Sequence, residues 1–135
     1  MPLIDGQRDR LNVLSNRIIG AALRVHRELG PGMLESAYEA CLASELLDQR
    51  LRIERQKPLP LVYRGQHLDC GYRIDLVVED EVIVEVKSIE RIDRVHRAQV
   101  LSYLRMSDLR LGLLINFNVK WLREGIARIV NAFPE

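Results

Sequence analysis

Asp75, Glu85 and Lys87 have side chains and a spacing suited to metal-assisted chemistry. Residues 72–78 and 82–87 alternate with period two around the acidic turn Glu79-Asp80-Glu81, which reads as a hairpin. Alternation places Arg73, Asp75 and Val77 on one face of the first strand, with Ile74, Leu76 and Val78 on the other. On the second strand Ile83, Glu85 and Lys87 share one face, and Val82, Val84 and Val86 share the other. A hairpin symmetric about Asp80 sets Val78 against Val82, Ile74 against Val86, and Asp75 against Glu85. Opposed residues hold their Cβ atoms about 4.5–5.5 Å apart, so two such carboxylates repel each other. A hard divalent cation between them removes that penalty, and oxygen ligands of this kind suit Mg2+ or Mn2+. Lys87 lies within reach of the same spot, where the lysine can orient or, as the neutral amine, help deprotonate a metal-bound water, or as the ammonium neutralise charge on a phosphate. The plainer alternative is a solvated strand face on which Lys87 only balances the acids. Against it, residues 82–87 are apolar enough to form a central strand, where two charges are rarely idle.

The next segment bears on the same spot. Residues 92–106 read as a helix on which Ile92, His96, Gln99 and Tyr103 fall in one narrow arc, beside a second arc of Val95, Ala98 and Leu101. A polar stripe of this kind is expected where a helix borders a cleft. The alternative is a glutamine and a tyrosine at a solvent-facing edge, and a helical histidine is often only a surface or satisfied residue.

These residues must be positioned by the rest of the chain. Leu11, Leu14, Ile18, Ala21, Ala22, Val25 and Leu29 recur at three and four, predicting an amphipathic helix over residues 9–29. Gly30, Pro31 and Gly32 end it, and a second helix is predicted over 34–49. Residues 51–56 and 59–63 read as strands, punctuated by Pro58, Pro60 and the turn Arg64-Gly65. Residues 110–117 read as a buried strand, and 123–130 as a short closing helix. Two helices, several antiparallel strands, a helix laid across the sheet and a return strand make an α/β fold, expected as a single domain over residues 1–135.

Composition narrows the setting. Apolar residues make up 47% and charged residues 29% of the chain, which suits an ordinary packed core rather than a disordered segment. The longest uncharged apolar run, 111–119, is far short of the roughly 20 residues a spanning helix needs. Asp5, Arg8, Asp9 and Arg10 leave no apolar signal segment, so a cytoplasmic location is expected. Cys41 and Cys70 are isolated, which argues against a zinc site and for reduced core residues. With a net charge of +1, any attraction to nucleic acid must come from a local patch.

Taken together, Asp75, the tripeptide Glu85-Val86-Lys87 and the Gln99/Tyr103 pair resemble the PD-(D/E)xK nuclease superfamily, with its first acid, its (D/E)xK element and its QxxxY helix. Within it, Gly32-Met33-Leu34-Glu35-Ser36-Ala37-Tyr38 resembles the signature of the GxxExxY proteins. The likeness continues through Glu39, the segments 54–60 and 69–75, His96, and 113–117 to Glu124-Gly125-Ile126. Ile74 replaces the proline of the superfamily motif, and Asn118 stands where glycine is expected. The resemblance implies an α/β PD-(D/E)xK nuclease-like fold, a central mixed β-sheet flanked by α-helices. It also implies a hydrolase cleaving phosphodiester bonds with Mg2+ (or Mn2+). Asp75, Glu85 and the Val86 carbonyl would hold the metal, and Glu35 on the second helix would bind it or its water. Lys87 would act on the nucleophile, while Gln99 and Tyr103 would position phosphate or the lysine. Tyr38 would buttress Glu35 or simply fill core, Glu45 would form a structural ion pair with an arginine, and Gly30 to Gly32 would aim Glu35. The implied partner is nucleic acid, DNA ahead of RNA, with Arg73, Arg91, Arg94 and Arg97 as a backbone-binding rim, no membrane, and a homodimer left open. The alternative is a non-catalytic module that keeps the nuclease fold to bind nucleic acid or protein.

Overall fold

Helical periodicity organises the first third of the chain. In the computed structural model, which describes residues 2–134, Leu11, Leu14, Ile18, Ala21, Ala22 and Val25 line the buried stripe of α1 (Pro2–Leu29). The helix starts at Pro2 rather than near residue 9, where the recurring apolar pattern begins. Gly30 and Gly32 then adopt φ of 65° and 98°, backbone that L side chains rarely take, and the chain reverses into α2 (Glu35–Asp48). Tyr38 closes this turn: its hydroxyl donates to the Gly30 carbonyl and accepts from the Met33 amide, while its ring stacks on Phe117. It is fully buried, so it acts as both core and clamp.

The strands follow as β1 (Ile53–Pro58), β2 (Leu61–Tyr63), β3 (Gln66–Leu68), β4 (Arg73–Val78) and β5 (Val82–Lys87). After α3 (Arg94–Ser107) come β6 (Leu111–Asn116), a 3-10 turn (Leu122–Gly125) and β7 (Ile126–Val130). Five strands form one mixed sheet in the order β1-β4-β5-β6-β7. Only β5 and β6 run parallel, and α3 supplies the crossover that such a pair requires. The small hairpin β2–β3 stands apart, turning at Arg64 and Gly65, both at positive φ.

The sheet is covered on both sides. Leu76, Val78, Val82, Val84 and Val86 pack with α1 and α2; Val77, Ile83 and Leu114 pack with Val100, Tyr103 and Leu104 of α3. β5 is therefore the central strand, and burying each of its valines contributes about 1.5–3 kcal/mol. This is the α/β architecture, a mixed sheet flanked by helices, that the sequence predicts.

Four details differ from the sequence reading. The tail 123–130 is not a helix: after the 3-10 turn, β7 pairs antiparallel with β6. Residues 126–130 bury alternately, and their β-branched side chains fit a pleated surface. The hairpin strand β3 went unread because its residues are all exposed and carry no alternation. Cys70 is exposed rather than core, while Cys41 is half-buried; both are free. Finally, strict alternation in β4 fails at one point: Ile74 packs on the α3 side, whereas Leu76 and Val78 pack on the other.

The turn before β7 is tight. A Cβ on Gly125 would sit 2.1 Å from the Asn116 carbonyl oxygen, a main-chain atom that cannot rotate away. Gly125→Ala is expected to destabilise the fold by about 2 kcal/mol, several degrees in Tm. An unchanged melting curve would show that this turn can shift freely.

Candidate active site

The break in β4 lies where the acids sit. The β4–β5 ladder runs Val78↔Val82, Val77↔Ile83 and Leu76↔Val84, the register expected for symmetry about Asp80. Continued one step, that register would oppose Asp75 and Glu85, but the ladder stops there and carboxylates take over the main-chain hydrogen bonds. The Asp75 N–H donates to Glu85 Oε2 at 2.7 Å, and the Val86 N–H donates to Asp75 Oδ2 at 2.9 Å. On the other side of β4, Gln56 holds φ 52° and drops out of the pairing between Arg55↔Leu76 and Lys57↔Ile74. Its amide donates to Asp75 Oδ1 at 3.0 Å and to Glu39 Oε1 at 2.6 Å. β1 and β4 itself thus depart from regular pairing around this carboxylate.

Glu85 is only 3% exposed on the central strand. Burial pushes its carboxyl up to about 8, and the facing Asp75 charge pushes the same way. The Asp75 N–H and the Lys87 ammonium oppose the shift, and Glu39 adds slightly to it. Without a cation, Glu85 therefore holds its proton well above the usual carboxylate range. Tyr103, 5% exposed on α3, has its hydroxyl pushed up by burial first, then by the charges of Glu85, Tyr72 and Asp75. Its ring meets the Tyr72 ring edge-on at 6.0 Å.

Lys87 is half-buried at the end of β5 and forms no ion pair among the described residues. The segment after it is pinned by buried Asn116, which accepts the Ile89 N–H and donates to the Ile89 carbonyl, each at 3.0 Å. Gln99 is half-buried one turn before Tyr103 on α3. His96 acts locally: its Nδ1 accepts the Asp93 N–H at 2.9 Å, holding the first turn of α3.

Glu35 and Glu39 of α2 divide differently from the sequence expectation. Glu35 is exposed, and Oε2 accepts the Ser88 N–H at 3.3 Å, so it touches the residue after Lys87. Glu39, one turn on and 7% exposed, is the acid tied to Asp75 through Gln56, and it also pairs with Arg55 at 3.1 Å. Neither Glu39 nor Gln56 stood out as a site residue in the sequence. A signal existed: Glu39 is four residues from Glu35 and so shares its helix face. Glu45 pairs with Arg24 at 3.4 Å, as its position on the helix suggests. Arg73, Arg91, Arg94 and Arg97 are all exposed.

No group of three or more His, Cys, Asp or Glu among the described residues is gathered to enclose a metal ion. The donors present are two carboxylates and nearby main-chain oxygens, all hard. That set fits Mg2+ or Mn2+ binding through one or two carboxylates, with water and substrate phosphate completing the shell.

A family model for the PD-(D/E)XK nuclease superfamily matches residues 12–129. Neither the curated proteins nor the solved structures contain a match to the chain. No helix among the described residues is long and apolar enough to cross a membrane.

Proposed function

Because the chain belongs to the PD-(D/E)XK nuclease superfamily, whose nucleases generally use divalent metal ions, we propose that it hydrolyses nucleic-acid phosphodiester bonds with Mg2+ or Mn2+, DNA ahead of RNA. The likeness of Gly32 to Tyr38 to the GxxExxY signature supports assigning it to that branch. One observation carries the proposal: at the central strand Glu85 accepts the Asp75 N–H and Asp75 accepts the Val86 N–H, which sets two carboxyl groups together beside a lysine with no ion-pair partner among the described residues. A binding module has no use for such opposed acids, which are unfavourable unless a cation joins them.

Asp75, Glu85 and the Val86 carbonyl would hold the ion. When bound, it supplies Lewis acidity toward a phosphate oxygen and acidifies a water molecule. Lys87 donates from its ammonium to the attacking water or to a non-bridging phosphate oxygen. Gln56 and Glu39 hold Asp75 at its angle, while Tyr103 and Gln99 wall the cleft and offer hydrogen bonds to the phosphate. Glu35 works at the rim, fixing Ser88 and with it the strand end that carries Lys87. Arg73, Arg91, Arg94 and Arg97 attract the backbone.

The test is cleavage of labelled single- and double-stranded DNA and RNA in Mg2+, in Mn2+ and in EDTA. Metal-dependent cleavage by the wild type is expected. Equal product with and without metal, or no product from any substrate, overturns the catalytic reading in favour of a binding module.

A further inference from the structure

Two exposed aromatic residues stand at the end of the sheet where the acids and Lys87 lie. β5 and β6 are parallel with Lys87 paired to Asn116, so the segment after β6 leaves from the Lys87 end. β4 runs antiparallel to β5, and Pro58 of β1 pairs with Arg73 of β4, so the β2–β3 hairpin leaves from that same end. In strand order the hairpin joins β1 to β4 and the other segment joins β6 to β7, one on each side of Glu85. Both are tied to the site. Tyr72, at the neck of the hairpin, bonds Leu59 through the main chain and touches Tyr103 with its ring. Asn118 bonds Asn116 and the Ile89 carbonyl, and the Val119 carbonyl bonds the His26 ring.

Each arm presents a ring to solvent. Trp121 is 62% exposed and Tyr63 55% exposed, unusual for side chains with so much apolar area to hide. Each carries a cation over its ring, Lys120 on Trp121 and Arg64 on Tyr63, both 5.4 Å from the centroid. Such a pair suits a nucleotide: the base takes the ring face and the cation swings to the neighbouring phosphate. Charge agrees, because Arg64, Arg73, Lys120 and Arg123 outnumber Asp69 and Glu124 on these segments. In a duplex the base faces are already stacked and offer nothing to either ring.

We propose that this site takes its substrate as a single strand, whose unpaired bases stack on Trp121 and Tyr63 on either side of the acids. This rests on the nucleic-acid reading above and adds the substrate's strandedness.

Trp121 is the sole tryptophan, so its fluorescence reports the stacking directly. Wild-type protein in EDTA would be titrated at low salt with oligothymidylate, oligouridylate and a hairpin-closed duplex of equal length. Quenching by the single strands and not by the duplex is expected. With labelled oligonucleotides followed by anisotropy, Trp121→Ala and Trp121→Leu should each weaken single-strand binding about tenfold, and Tyr63→Ala should do likewise. Duplex binding should be unmoved in all three, because a paired base has no free face for either ring to cover. The leucine variant keeps apolar bulk without a ring, which separates stacking from simple burial. Equal or tighter duplex binding, an unquenched Trp121, or variants that bind as wild type would overturn the proposal. Cleavage assayed separately with metal keeps the two readings distinct. An enzyme that cuts without stacking removes this inference alone, and stacking without cutting removes only the catalytic reading.

Discussion

Lys87→Ala is expected to lower metal-supported cleavage by about 100- to 1000-fold, the usual effect of deleting one pre-positioned donor to developing charge. The side chain meets two conditions for such a role. It is close enough to Glu85 to act on its carboxyl electrostatically, and it is not occupied by an ion pair among the described residues. It is also held in place, since Asn116 and Glu35 fix Ile89 and Ser88 immediately after it. The comparison variant is Asp75→Asn, which removes a charge from the proposed ligand set and should reduce cleavage to the level seen in EDTA. The two changes separate by metal response: Lys87→Ala should still gain stability from Mn2+, and Asp75→Asn should not. If Lys87→Ala cuts at the wild-type rate, the lysine merely balances the acids, and the solvated-face alternative is correct for it.

The register of the β4–β5 hairpin was legible because period-two alternation and a short acidic turn leave little freedom. Val78↔Val82 follows from the turn, and Asp75 against Glu85 follows from that pairing. What could not be read was the departure from that register. Ile74 changes sides because the ladder yields at Asp75, where carboxylates replace main-chain acceptors, and no local pattern announces this. The Ile74 substitution for proline in the family motif is accommodated by burying its side chain against Leu59 and Tyr103. Asn118 keeps an ordinary negative φ where glycine was expected and uses its side chain to bond the Ile89 carbonyl.

Long-range partners were equally silent. Gln56 lies 17 residues from Glu39 and 19 from Asp75, on a strand whose exposed pattern gives it no distinction. Its role arises from a positive-φ bulge that only the folded sheet imposes. The closing segment misled for another reason. Ile126, Ala127, Ile129 and Val130 satisfy a helical stripe over so few residues as well as they satisfy a strand, and the choice is made by the open edge of β6.

Glu85→Gln is expected to stabilise the metal-free protein at alkaline pH, although it removes a proposed ligand. Below pH about 4.5 the Glu85 carboxyl is protonated in both folded and unfolded chains, and it leaves stability unchanged. As pH rises, the unfolded chain loses this proton first, while the folded site keeps it until about pH 8. The folded state binds more protons throughout that window, so stability falls with pH and levels off above it. At about 1.4 kcal/mol per pH unit the loss is on the order of 5 kcal/mol at pH 9. Glutamine cannot ionise, yet its oxygen can still accept the Asp75 N–H and its amide can donate to the Asp75 carboxylate. Chemical denaturation in EDTA from pH 5 to 9 should therefore show a steeper decline for wild type than for Glu85→Gln, with the curves nearest at pH 5. Adding Mn2+ at pH 8 should reverse the order: the cation replaces the Glu85 proton in the wild type and raises its Tm, and the variant should gain little. Parallel pH profiles would mean that Glu85 ionises at an ordinary pH, and the electrostatic case for a cation between these two acids would fall with them.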